Sequence, residues 1–136
     1  MDASFDPASL ASDAAETFRT VQAAITARDV RPLVGRIAPE LLEQLEGQCA
    51  ELRQSGQTNR LERIQIERTE VTEAWQERGH DFVTVAIVGT LLDYVVDATG
   101  RIVAGSSTVP ERFEEYWTFT RSVGARPWQL TAIQSG

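Results

Sequence analysis

Few side chains in this sequence are able to do chemistry, and their spacing limits what each can do. His80 is the only histidine and stands between Gly79 and Asp81, in a segment that reads as a hairpin turn. A general base needs a pocket and an orienting partner. A turn supplies neither, so His80 reads as a solvated residue. One histidine also excludes a multi-histidine metal site, and the single cysteine, Cys49, cannot supply a site alone. Cys49 falls on an apolar helical stripe with no basic cluster to lower its pKa, as in a small core residue rather than a nucleophile. No metal ligand, cofactor or catalytic group is assigned from these residues.

The carboxylates are equally constrained. Glu114 and Glu115 are adjacent on a strand and point to opposite faces, so they cannot act together. Glu115 shares a face with Trp117, Phe119 and Arg121, which would place a Glu115–Arg121 charge pair at a pocket rim to orient a ligand. Asp97 leads into the turn Asp97-Ala98-Thr99-Gly100, where aspartate is expected for backbone hydrogen bonding. Asp93 lacks a His or Tyr partner. The best candidate for a binding surface is the aromatic set Phe18, Trp75, Trp117, Phe119 and Trp128, with Glu115 and Arg121 at its rim. The competing reading is that the rings fill a core. No Gly-rich phosphate loop, nucleophile elbow or metal motif is present.

The elements that must position these residues divide into a helical first part and a strand-rich remainder, the pattern of an α+β chain. Leu10, Ala14, Phe18, Val21 and Ile25 mark one face of a helix from about Pro7 or Ser9 to Ala27, with Asp6 as cap. A short second helix is expected around Pro32, Leu33, Val34 and Ile37. A third starts at Pro39, carries Leu41, Leu42, Leu45, Cys49 and Leu52 on one stripe, and stops near Gly56. The period then changes. Leu61 to Trp75 reads as a strand bent or bulged midway, and Gln76 to His80 as a turn. Asp81 to Val96 is a long strand apolar on both faces, so both faces should be covered, one by the helices and the other by a second layer or a partner subunit. A loop at 105–110, a strand from Phe113 to Ser122, a turn at Gly124-Ala125-Arg126-Pro127 and a strand from Trp128 to Gln134 complete the chain. Three helices on a curved antiparallel sheet predict a cone with an apolar interior.

The bulk numbers set the class. At 136 residues the chain fits a single domain, 1–136, burying roughly two-thirds of the surface its unfolded form exposes. With 20 acidic residues against 13 basic ones the net charge is −7, which disfavours nucleic acid and an anionic membrane surface as partners. No apolar run approaches the length needed to span a bilayer, and the acidic start lacks the form of a signal peptide. An anchor or signal removed from a longer protein stays open, as does the redox compartment.

The segment Glu115-Tyr116-Trp117-Thr118-Phe119-Thr120-Arg121, followed by Trp128-Gln129-Leu130-Thr131-Ala132-Ile133-Gln134, resembles the closing strand pair of the Tim44-like domain family. Phe18 to Asp29 is similar to that family's first helix and its Ala-Arg-Asp-like end. Asp93 to Asp97 and Gly100 to Gly105 resemble its central hairpin. The likeness runs from about Phe5 to Gln134. It implies a cone-shaped fold of the nuclear-transport-factor-two type with a large apolar pocket, and a membrane-associated role in recruiting chaperone or translocon components. The mitochondrial members' chaperone-binding N-terminal region has no counterpart here. The first helix, with Asp13, Glu16, Arg19 and Arg28, lacks the basic polar face that would carry lipid binding.

The expected function is therefore a non-catalytic binding or tethering module of the bacterial inner membrane, side unknown, holding a protein partner or an acyl chain in an apolar pocket. Each buried acyl methylene contributes roughly 0.8 kcal/mol, so only a long chain or a multiply anchored peptide would bind tightly. Two alternatives stand beside it. One is a small isomerase- or dehydratase-type pocket enzyme using Asp93 or His80. The other is a homodimer that pairs through the outer face of the Asp81–Val96 strand.

Overall fold

Asp6 starts the first helix. Its backbone is extended (φ −130°, ψ 107°), its carboxylate accepts the Ala8 N–H at 3.1 Å, and Pro7 occupies the first turn, where its missing N–H costs nothing. This helix, α1, spans Pro7–Ala27 in the computed structural model, which describes residues 6–122 and 127–136. The apolar face read from the sequence is the buried one: Leu10, Ala14, Phe18, Val21 and Ile25 all face inward. Arg28 closes the helix in the left-handed region (φ 56°), its N–H bonding the carbonyls of Ala24 and Ile25.

The expected second helix is instead a three-residue 3₁₀ turn, Arg31–Leu33. Asp29 holds that turn, accepting the Arg31 backbone N–H at 3.0 Å and its guanidinium at 2.7 Å. A helix cannot continue past it because Gly35 adopts φ 86°. The remaining helix, α2, spans Pro39–Ser55 and ends on Gly56 at φ 67°. Among the described residues the helical layer thus has two α-helices, not three.

Among the described residues five antiparallel strands follow: β1 (Thr58–Glu77), β2 (His80–Val96), β3 (Ile102–Gly105), β4 (Glu111–Ser122) and β5 (Gln129–Ser135). The order across the sheet is β1-β2-β4-β5, with β3 also paired to β2. Residues 80–91 of β2 face β4 and residues 94–96 face β3, so β3 and β4 lie end to end along one edge of β2. β1 is longer at both ends than Leu61 to Trp75, and β4 begins at Glu111 rather than Phe113. β5 is displaced one residue from the expected Trp128 to Gln134. The expected turn at 124–126 and the residue Phe5 lie outside the described residues.

The bend expected in β1 is real. Its register with β2 slips between Glu62 and Gln65, between Ile66 and Arg68, and between Val71 and Glu73, and Arg63 adopts φ 49° at the first slip. The slip lets Leu61, Ile64 and Ile66 all pack against the core although their spacing is three and then two. Where the bulged strand crosses β2, Gly89 is obligatory. A Cβ there would overlap the Gln65 carbonyl oxygen and press on the Phe113 ring.

α1 also shields the outer edge of β1. The Arg19 guanidinium donates to the Ile64 carbonyl at 3.3 Å, the Thr26 hydroxyl to Asn59 at 2.8 Å, and the Arg28 guanidinium to Gln57 at 3.2 Å. These bonds satisfy carbonyls that an edge strand would otherwise offer to another chain.

The helices cover Val83, Val85, Ile87 and Leu91 of β2. Its opposite face, with Phe82, Ala86, Val88 and Leu92, meets no second layer among the described residues. Ala86 is flanked in register by Glu70 and Tyr116, and Val88 by Arg68 and Glu114, and both are buried. Between helices and sheet the interior is closed: Phe18, Trp117 and Phe119 are 1%, 0% and 3% exposed, with Phe18 stacked on Phe113 at 4.9 Å and tilted on Trp117 at 5.1 Å.

Candidate functional site

The alternation of β2 puts Asp81 in phase with Val83, Val85 and Ile87, on the side that faces the helices. A carboxylate there must be paired, and it is. Its Oδ1 accepts the Gln76 side-chain amide at 2.7 Å and its Oδ2 accepts Arg121 Nε at 3.2 Å; the two charged side chains are 0% and 5% exposed. The Arg121 guanidinium in turn lies 4.4 Å from the centre of the Trp128 ring. A cation over an indole contributes roughly 0.5–2 kcal/mol, more when desolvated. Gln76, Asp81, Arg121 and Trp128 thus form one chain of contacts that fixes the indole.

That indole borders a cleft of about 410 Å³ between α1, the connection at 35–36 and the sheet. Leu10, Phe119 and Trp128 give it an apolar lining, while Asp13, Glu16, Thr17 and Arg36 supply polar walls. Arg36 reaches across to the Thr17 hydroxyl at 3.5 Å. Past Gly35 and Pro127 a second depression of about 280 Å³ meets His80, Arg121, Ser122 and Gln129. The connection is anchored beside β5: the Ala38 N–H donates to the Leu130 carbonyl at 2.8 Å and the Leu130 N–H to Arg36 at 3.0 Å.

Of the residues read from the sequence as a binding surface, the structure brings together Phe119, Arg121 and Trp128. Phe18 and Trp117 sit in the closed core, so the enclosed apolar pocket is filled by the rings expected to line it. The Glu115–Arg121 pair does not form. Six residues of strand separate the two by about 20 Å, and each has a nearer partner: Glu115 accepts the Trp117 indole N–H at 2.9 Å, and Arg121 takes Asp81. Trp75 lies on the face away from the helices, stacked on Phe82 at 5.2 Å. His80 and Asp93 stand about 43 Å apart along β2 by residue count. The first is exposed as the opening residue of β2, not in the expected turn, with its Nδ1 3.2 Å from the Arg78 carbonyl, and the second accepts the Asn59 amide at 2.8 Å. Cys49 is buried, and desolvation pushes its thiol pKa up. Among the described residues no three metal-ligating side chains cluster. Asp81, Gln76, Asp13, Glu16 and Arg36 belong to this site and were not marked by sequence reasoning. The signal for Asp81 was available: a charge in phase with an apolar face.

A family model for the Tim44-like domain matches residues 1–135. The chain belongs to the Tim44-like domain family. Curated proteins offer no match to it. Among solved structures, the crystal structure of the intermembrane space region of the chloroplast protein ARC6 is similar to this Tim44-like domain. Its TM-score is 0.66 over 96% of each chain, at 12% identity, which is a likeness of fold. Tim44-like domains are associated with membrane protein translocation or organisation. In this Tim44-like domain, no helix among the described residues is long and apolar enough to cross a membrane.

Proposed function

We propose that this Tim44-like domain is a non-catalytic tether that seats a segment of a partner protein in the cleft beside Trp128. The observation that carries this reading is the mixed lining: Leu10, Phe119 and Trp128 offer apolar contact, and Asp13, Glu16 and Arg36 offer both signs of charge within one cleft. A polypeptide can satisfy both, because it brings side chains and amides together. An acyl chain would bring methylenes against carboxylates and a guanidinium, which favours the peptide over the lipid. One anchor side chain buried against Trp128 and Phe119 contributes roughly 1.5–3 kcal/mol. With rim contacts that suits reversible recruitment rather than permanent assembly.

A photocrosslinking amino acid replacing Glu16 in the protein produced in its native host tests the reading, with the same amino acid at exposed Glu43 of α2 as control. The expected result is a protein adduct specific to position 16 that is lost when Asp13→Arg or Trp128→Ala is added. Lipid adducts alone, or the same products from both positions, would refute it.

A further inference from the structure

The β1–β2 hairpin carries an aromatic pair on the face turned away from the helices. Between Glu73 and His80 its register runs without a slip, so Glu73 faces Thr84, Trp75 faces Phe82 and Glu77 faces His80, all on that outer face. Trp75 and Phe82 stack with ring centres 5.2 Å apart and planes 7° apart. Phe82 therefore covers one face of the indole. Among the described residues β1 is the outermost strand on this side, so the other face turns off the sheet, and Trp75 is 36% exposed.

We propose that this open indole face receives an arginine side chain of a partner protein, with Glu73 and Glu77 flanking the guanidinium. A single exposed apolar residue is ordinary. The charges around this one are not. Along the outer face of β1, Arg60 lies 3.9 Å from Glu62 and Arg68 lies 3.9 Å from Glu70, each a basic and an acidic residue two positions apart. At the tip the same spacing continues as Glu73, Trp75 and Glu77, and an indole stands where the pattern would place a cation. Among the described residues neither carboxylate has an ion pair. Arg78, next along the chain, is drawn into the turn at φ 50° and reaches neither of them. With His80 neutral, the tip carries two glutamates against one arginine and stays negative.

Geometry and charge select the occupant. A planar guanidinium stacks on an indole and still directs N–H groups, within its own plane, at carboxylates on both sides; an ammonium has no face to stack. Each glutamate stands about 7 Å from Trp75 along the strand, a gap its own side chain closes. Two copies, each of net charge −7, repel one another, which selects a different protein as the donor. This surface lies across the sheet from the cleft beside Trp128 and stands or falls independently of it.

The test titrates the full chain with capped Gly-Arg-Gly and, in parallel, with its lysine and citrulline counterparts, following backbone and indole N–H groups by NMR. The expected result is a saturable shift confined to residues 73–77 and 80–84, with arginine bound about two- to fivefold more tightly than lysine and no saturable shift from citrulline. Glu73→Gln and Glu77→Gln, which leave both rings in place, should each weaken arginine binding about two- to fivefold, and Trp75→Leu should abolish it. Citrulline binding as well as arginine, shifts mapping elsewhere, or glutamate variants that bind unchanged would overturn the proposal. So would shifts of the same residues on concentrating the chain without peptide, which would make a second copy the donor.

Discussion

Replacing Asp81 by alanine probes the contact chain that sets Trp128 at the cleft. Asp81 and Arg121 are 0% and 5% exposed at their side chains, so neither charge can recover water when its partner is lost. Breaking a buried ion pair costs about 3–5 kcal/mol. The guanidinium keeps its place over the Trp128 ring when Asp81 is lost, so the lower end of that range, about 3 kcal/mol, is expected. Against a domain stability of roughly 5–15 kcal/mol this is large but survivable. Urea unfolding at neutral pH, followed by circular dichroism, should show the midpoint falling with an unchanged slope. Arg121→Met should cost a similar amount. The Asp81→Ala, Arg121→Met double variant should lose less than the sum by at least about 1.5 kcal/mol, because each single variant already removes the shared Asp81–Arg121 contact. Asp81→Asn, which keeps an acceptor for Gln76, should fall between. A loss under about 1 kcal/mol for Asp81→Ala, or additive single variants, would refute the reasoning.

Four further outcomes are expected. Gly89→Ala should destabilise by about 1–3 kcal/mol or more, seen as a lower Tm, because its methyl meets the Gln65 carbonyl and the Phe113 ring at once. Arg63→Gly should gain up to about 1 kcal/mol in the same assay, since φ 49° costs a side-chain-bearing residue and not glycine; a loss would mean the guanidinium has a role. The Asp29 carboxyl pKa, held down to about 2 mainly by its hydrogen bond to the Arg31 side chain, should titrate there by NMR rather than near 3.8. Because the folded pKa is the lower one, its stabilising contribution is complete above about pH 4 and is lost as pH falls towards 2. Asp29→Asn removes that part of the acid dependence. Cys49, buried and with a raised pKa, should react with a thiol reagent at neutral pH at the rate of unfolding and not before it.

The helices and the central strand were legible because each is announced locally. Asp6-Pro7 caps α1, a 3.6-residue period marks its face, and the long, largely apolar and β-branched stretch from Phe82 to Val96 admits little besides a strand. β3 was legible only through the family resemblance of the hairpin at Asp93–Asp97 and Gly100–Gly105, because Ile102–Gly105 is four residues between two turn signals, too short for any period to show. Trp75 belongs to the aromatic set of the expected binding surface in the sequence but not in the fold, for a subtler reason. Plain alternation from Val71 puts it on the helix-facing side, but the slip between Val71 and Glu73 inserts one residue and sends it to the other face. The cleft was less legible still. Its walls come from α1, the 35–36 connection, β4 and the start of β5, and no spacing rule links Asp13 and Glu16 to Trp128.

The seam between the 35–38 connection and the start of β5 has a kinetic meaning. The Gln129 side-chain amide reaches the Gly35 carbonyl at 3.1 Å across 94 positions of sequence, whereas β1 and β2 meet through a two-residue turn. Contacts closing so long a loop form after the local hairpin has ordered. The cleft, whose walls are two sides of that seam, is thus expected to be completed late as the chain folds. A partner held there would recognise only molecules that have finished folding, and its binding would in turn slow the opening of the seam that lets them unfold.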